Sequence, residues 1–230
     1  MVELATLRVL NEQRWAKAVL LKPLGFAAIA RKLCEPNAKA RYVTVQTKTG
    51  VPWYIIAVIH EREASQNWNT QLGQGDPLDK RSIHVPAGRG PFRTWEEGAY
   101  DALVNCGPYA ARNKDWSPGG ALTLLETFNG LGYSMRGVPS PYIWSGTDQY
   151  KMGKYVADGR YDPNVIDPQL GCAGLLKAMM EIDSSIAWGV PAPIPTIPVP
   201  PVVITTPPKL IPVPPVGFWA TLMSLLWGKK

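Results

Sequence analysis

Histidine and cysteine are scarce in this chain of 230 residues, with two of the first and three of the second. With only His60 and His84, a His-rich metal centre is not expected, and any Ser/His or Cys/His nucleophilic pair would have to use one of these two. Cys34, Cys106 and Cys172 are odd in number and lie in no CxxC or ligand spacing, so three reduced thiols are expected, with a Cys106–Cys172 bridge as the alternative. GxSxG, Walker A and GxGxxG patterns are missing, which removes the common signatures of acyl transfer and nucleotide binding. No cofactor and no metal are expected. Long apolar runs are lacking too, and nothing reaches the roughly 18–20 residues a membrane span needs. The opening MVELATLRVLNEQRW carries early acids and no apolar core before a small-residue cleavage site. The expectation is synthesis in the cytoplasm without a classical signal. If the chain acts on the cell wall, it would get there by release of the holin type.

Positive charge is concentrated at one end. Residues 1–50 hold nine Lys and Arg against Glu3, Glu12 and Glu35, which accounts for the whole net charge of +6. A basic face of this kind can meet an anionic envelope or simply be solvated. No nucleic-acid motif accompanies it, and no nucleic-acid partner is expected.

Apolar spacing predicts helices over 3–20, 25–33 and 40–48, the last stopped by Gly50. Pro52 suits the first turn of a further helix. Its residues Trp53, Ile55, Ile56, Val58 and Ile59 are apolar nearly all round, so it should be central and buried. Residues 67–93 read as loop, with SIHVPAG as a strand in a small β excursion near 80–90. Thr94-Trp-Glu-Glu97 is a capping box opening a helix to about Asn105, and Ser117-Pro118 opens another to Phe128, closed by Gly130. Short helical character is expected over 150–157 and a last helix over 169–187. The fold class is therefore mainly α, with a small β excursion, over residues 1–188. Eleven prolines in residues 190–216 mark a Pro-rich linker over 189–216 that should sample polyproline II. GFWATLMSLLWGKK, residues 217–230, reads as a short amphipathic tail for membrane-surface contact or docking.

The informative local feature is a buried helix ending in His60, Glu61, Arg62 and Glu63. A glycosidase acid is a carboxyl kept protonated near neutral pH, which needs an apolar setting. The C-terminal end of an apolar helix supplies one, and the helix dipole adds to it. Glu63 follows Ile59 by four residues and Ile56 by seven, continuing the apolar stripe. The spacing favours Glu63 and leaves Glu61 open.

TGVPWYIIAVIHEREASQNWN resembles the active-site segment of the goose-type lysozyme and soluble lytic transglycosylase group, within the lysozyme-like superfamily. On that resemblance Glu63 stands for the family's catalytic Glu, with Ala64 where the family has Ser. Trp68-Asn69 stands for its aromatic–Asn pair, two places late. LLETFNGLGY resembles the family's later helix and its Asn-Gly turn, here Phe128-Asn129-Gly130 with Tyr133 after it, and SPYIWSGTDQYKMGKYVADGRYDP also looks like proteins of this kind. The His60-Glu61 pair is similar to chitinase-like endolysins, which keeps Glu61 in play. The resemblance implies a lysozyme-like α+β fold and cleavage of peptidoglycan glycan strands. Its rivals are a chitinase-like glycosidase and a non-catalytic wall-binding or assembly protein. Glycan clefts use aromatic platforms and polar edges. Trp68, Tyr133, Tyr142 and Trp144 are candidate platforms, with Trp95 and Trp116 also near loops, and Asn69 and Asn129 are candidate hydrogen-bonding groups. An inverting hydrolase needs a second carboxylate. Asp76 in GQGDPL is the first choice, with turn formation before Pro77 as its alternative role. A lytic transglycosylase needs only one carboxylate, and the residues leave both reactions open.

Overall fold

Helix α4 (Trp53–Ala64) runs through the middle of the molecule, and every residue from Trp53 to His60 is buried. In the computed structural model the described residues are 3–189, without 74, 85 and 158. The linker over 190–216 and the tail over 217–230 lie outside them. Around α4 the described chain forms α1 (Leu4–Lys17), α2 (Pro23–Cys34), α3 (Pro36–Thr49), α5 (Trp95–Val104), α6 (Pro118–Asn129), α7 (Gly132–Met135), α8 (Pro141–Trp144) and α9 (Cys172–Ile182). A 3-10 turn (Ala110–Arg112) follows α5, and the one described sheet is a hairpin of β1 (Lys154–Ala157) and β2 (Arg160–Asp162). The architecture is mainly helical with a small β element.

Local chemistry sets the element ends. Prolines 23, 36, 118 and 141 each open a helix in its first turn, where a missing N–H costs nothing. Gly50 closes α3 at φ +73°, a conformation that suits glycine. The Thr94 hydroxyl accepts from Glu97 N at 3.2 Å while the Glu97 carboxylate accepts from Arg93 N at 2.9 Å, so donors at the start of α5 are satisfied. Ser117 Oγ accepts from Gly120 N at 3.2 Å and caps α6.

One core joins these helices. Phe26, Leu33, Tyr42, Val45, Ile55, Ile56, Ile59, Leu122, Leu125, Trp144, Leu175, Leu176 and Met179 belong to a single buried cluster. Helix α2 packs on α9 through Gly174, where an added Cβ would sit 2.2 Å from the Phe26 ring. Helix α1 lies along α6 and buries only Leu7 and Asn11. The Asn11 amide donates to Thr123 Oγ1 at 3.2 Å and to the Glu126 carboxylate at 3.4 Å. Trp188 stacks edge-on against Trp15 and Tyr54, and Gly189 N donates to Trp116 O at 3.1 Å, so residues up to 189 belong to the packed unit.

Three expectations are corrected. The β excursion lies at 154–162 instead of 80–90: Tyr155 pairs with Tyr161, and Lys154 with Asp162. The described part of SIHVPAG, residues 82–84 and 86–88, has no strand partner. It is a loop in which Ser82 Oγ donates to Pro86 O at 2.9 Å and accepts from Arg89 N at 2.9 Å. Residues 150–157, expected as helix, run into β1, since Gly153 and the turn at Gly159 bracket a segment that pairs across the hairpin. Helix α9 also stops at Ile182, short of 187, because the Asp183 carboxylate turns back onto Ser185 and Lys39. All three cysteines are free, so the Cys106–Cys172 alternative falls.

Candidate functional site

The last turn of α4 is where buried helix meets charge. Ser65 and Gln66, just after Ala64, both have positive φ (49° and 60°). Two consecutive left-handed non-glycine residues are costly, at about 1–3 kcal/mol each, so their surroundings must hold them. The Gln66 amide donates to Lys32 O at 3.2 Å and to Tyr42 Oη at 3.3 Å. His60 sits beneath, with Nδ1 3.0 Å from Tyr42 Oη and Nε2 3.0 Å from Asn67 O. Burial pushes its pKa down to about 4, so the ring is neutral at pH 7 and serves as a hydrogen-bonding strut.

Glu63 keeps partial exposure as a residue, while its carboxyl is packed by protein. The Tyr142 hydroxyl, from buried helix α8, donates to Glu63 Oε1 at 2.9 Å. Burial pushes the Glu63 pKa up to about 7, against the opposing pull of the Tyr142 hydrogen bond and the Arg62 charge. Glu61, two positions earlier, points to another side of the helix. Burial raises its pKa also, with Lys32 and Arg62 pulling it back.

Arg62, between these two, is almost wholly buried. Its guanidinium lies 4.8 Å from the centre of the Tyr142 ring. Nη2 meets Asp167 at 3.1 Å and Nη1 donates to Leu170 O at 3.1 Å. Asp167 also receives Lys154 Nζ of β1 at 3.0 Å. The Gln169 amide donates to the carbonyls of Glu61 (3.3 Å) and Arg62 (3.0 Å), satisfying acceptors at the end of α4. The segment 167–170 thus fastens the Glu63 turn to the hairpin. The hairpin in turn is fastened to α7, where Tyr133 Oη accepts from Tyr155 N at 3.1 Å.

The expected sugar-binding residues divide. Tyr142 is buried and serves as the hydrogen-bond donor to Glu63 instead of as a platform. Trp144 is fully buried in the core because the segment read as loop forms short helix α8, so it cannot present a face to a sugar. Trp95 and Trp116 are core residues as well. Trp68 is half-buried, packed against Tyr42, His60 and Trp95, with the Arg41 guanidinium 4.0 Å over its ring. Tyr133 is buried beneath the hairpin against Tyr155 and Tyr161. Asn69 is exposed after α4 and Asn129 is partly exposed at the end of α6. Asp76 is 4% exposed and already committed: its carboxylate accepts from Ile83 N and His84 N, each at 3.1 Å, and contacts His84 Nδ1 at 2.8 Å.

Arg62, Asp167 and Gln169 carry no local signal of their roles, because their partners across the site lie about a hundred residues away along the chain. Also outside the expected set is Glu126, a carboxyl 1% exposed in α6 that accepts from Asn11 and from the Ser134 hydroxyl. Burial raises its pKa. A carboxylate inside the apolar run LLET was the signal for it. Among the described residues no group of three or more His, Cys, Asp and Glu side chains is placed to hold a metal ion. A surface pocket of about 460 Å³, lined by Lys48, Phe92, Glu96, Glu97, Tyr100 and Asp101, includes none of the residues expected at the site.

No family model matches the chain, and no curated protein or solved structure is detectably similar to it. The choice of site therefore rests on the chemistry of Glu63 and its neighbours.

Proposed function

We propose that the chain is a glycosidase of peptidoglycan, of the muramidase or endolysin kind, with Glu63 as the proton donor to the glycosidic oxygen. One observation carries the reading: a carboxyl packed by protein on a partly exposed residue at the end of a buried helix, held by Tyr142, with a pKa of about 7. A general acid works best when its pKa lies near the operating pH. Tyr142 donates to Oε1, which leaves Oε2 to carry the proton toward substrate. Once that proton has gone, the Tyr142 hydroxyl and the Arg62 charge favour the carboxylate that remains.

Chemistry that uses one carboxylate fits better than an inverting hydrolysis based on Asp76, because three donors already occupy Asp76. In the one-carboxylate route, the sugar's own 6-hydroxyl attacks the anomeric carbon as the bond to the leaving oxygen breaks. The Glu63 carboxylate takes the hydroxyl proton. The partners of this reading are the glycan strands of the wall, and a membrane surface for the tail over 217–230.

The test is release of soluble fragments from purified peptidoglycan, with the products weighed by mass spectrometry. Anhydro-sugar ends mark the one-carboxylate route and hydrated ends mark hydrolysis. Glu63→Gln should cut release by about 10²-fold or more with the fold retained, and Glu61→Gln should stay active. Binding to wall with no release by the unmodified chain would instead mark a non-catalytic wall protein, and preferential release from chitin a chitinase-like one.

A further inference from the structure

Arg62 raises a difficulty for an acid at Glu63. It is the adjacent residue, its side chain is 5% exposed, and its guanidinium stacks over the ring whose hydroxyl holds Glu63. A buried cation next to a carboxyl favours the ionised form, commonly by 1–3 pH units at close range. Its counter-charge is Asp167, whose side chain is also 5% exposed.

We propose that Asp167 is a positioning residue for Glu63: by pairing with the buried Arg62 guanidinium, it fixes that cation on the Tyr142 ring and offsets part of its field at the acid. This rests on the reading of Glu63 as the proton donor. The geometry supports both halves. Arg62 is held at three points, by the Asp167 carboxylate, by Leu170 O and by the ring face, so its charge has a fixed place. Asp167 is fixed as well. Its backbone N–H donates to Tyr150 Oη at 3.1 Å and its carbonyl accepts from Ser145 Oγ at 2.8 Å. Burial works against its charge, but Arg62 and Lys154 outweigh that, and Asp167 stays ionised.

The other groups around Glu63 do not replace it. Glu61 lies on α4 itself but on another side. From α8 the Tyr142 hydroxyl is neutral, its pKa raised well above the ordinary value by burial. From α9 the Cys172 thiol is neutral for the same reason. From the hairpin, Lys154 brings a second cation to Asp167 at 3.0 Å, so loss of Asp167 removes the anion that both cations meet.

The experiment follows the Glu63 carboxyl by carbon-13 NMR through a pH titration of the full chain, so its readout does not depend on enzymatic activity. Asp167→Asn should lower the Glu63 pKa by roughly one unit or more. Arg62→Gln should raise it, since the cation itself is then gone. Asp167→Glu should lie close to the unmodified protein. Opposite shifts from the two partners of one ion pair are not expected from general loosening of the structure. An unmoved titration in both variants, or shifts in the same direction, overturns the proposal. If Asp167→Asn does not fold, Arg62→Gln still decides, because an unchanged or lowered pKa there overturns it too. The basic limb of the wall-lysis profile should move with the NMR value. Absence of lysis by the unmodified chain would count against the glycosidase reading while the titration still judged the ion pair.

Discussion

Tyr142 and Glu63, 79 residues apart in sequence, meet at 2.9 Å, with the hydroxyl donating to the carboxyl. The contact works in two directions. It fixes the carboxyl's orientation, and it opposes the effect of burial on its pKa. Tyr142→Phe should therefore move the basic limb of the activity profile to higher pH. It should also slow turnover by about tenfold, the scale of one lost hydrogen bond of about 1–1.5 kcal/mol. A profile measured on wall fragments, with circular dichroism as a fold control, checks both.

Stability carries the same signature without any assay of activity. The folded-state pKa of Glu63 is raised from the ordinary 4.5 to about 7. The protonated group's contribution is then fully present below about pH 4.5 and is lost as pH rises through about 7. Glu63→Gln does not titrate, so its stability relative to the unmodified chain should grow by roughly 1–3 kcal/mol between pH 4 and pH 8. Denaturant unfolding at the two pH values measures it. Equal differences at both would mean that Glu63 titrates normally.

Asp76 should behave as a loop residue. It organises two backbone N–H groups and the His84 ring. Asp76→Asn should lower stability by about 1–3 kcal/mol while turnover per folded molecule stays within about threefold. A loss of about 10²-fold in turnover, the scale of general base catalysis, would restore Asp76 as the second carboxylate.

The packed unit should survive removal of the tail only if the cut respects its last contacts. Truncation after Gly189 keeps Trp188 on Trp15 and the Tyr54 hydroxyl on Ala187 O. The melting temperature and the activity on soluble wall fragments should then be nearly unchanged, and binding to anionic vesicles should drop. A cut after Ile182 removes those contacts and should lower the melting temperature by several degrees.

Whatever depends on neighbours along the chain is legible in the residue pattern. The caps at Thr94 and Ser117, the stop at Gly50 and the buried stripe leading to Glu63 are all local, and the structure has them where the residue pattern puts them. What could not be read depends on distant partners. The alternation in SIHVPAG suits a strand, but among the described residues no second strand meets it. The residues before Gly159 form a strand because Arg160–Asp162 lies opposite. The aromatics of PYIW sit in a Gly- and Pro-rich stretch that reads as surface, yet a single helical turn carries Trp144 into the core. Of the candidate site, the buried carboxyl at the end of α4 was legible. Its tyrosine was assigned a different task, and the Arg62–Asp167 pair, 105 residues apart, left no local trace.

The contact between Asn11, Thr123 and Glu126 has a consequence for how the first helix finds its seat. Helix α1 buries just Leu7 and Asn11, and its place along α6 is set by the close approach of Arg8 to Gly119 together with this polar contact. A slide of one turn along α6 would strand the Asn11 amide and the Glu126 carboxyl without each other, and unmatched polar groups of that sort are expensive. The polar contact therefore acts as an address. A leucine at position 11 would give up that address and leave the Glu126 carboxyl without one of its donors.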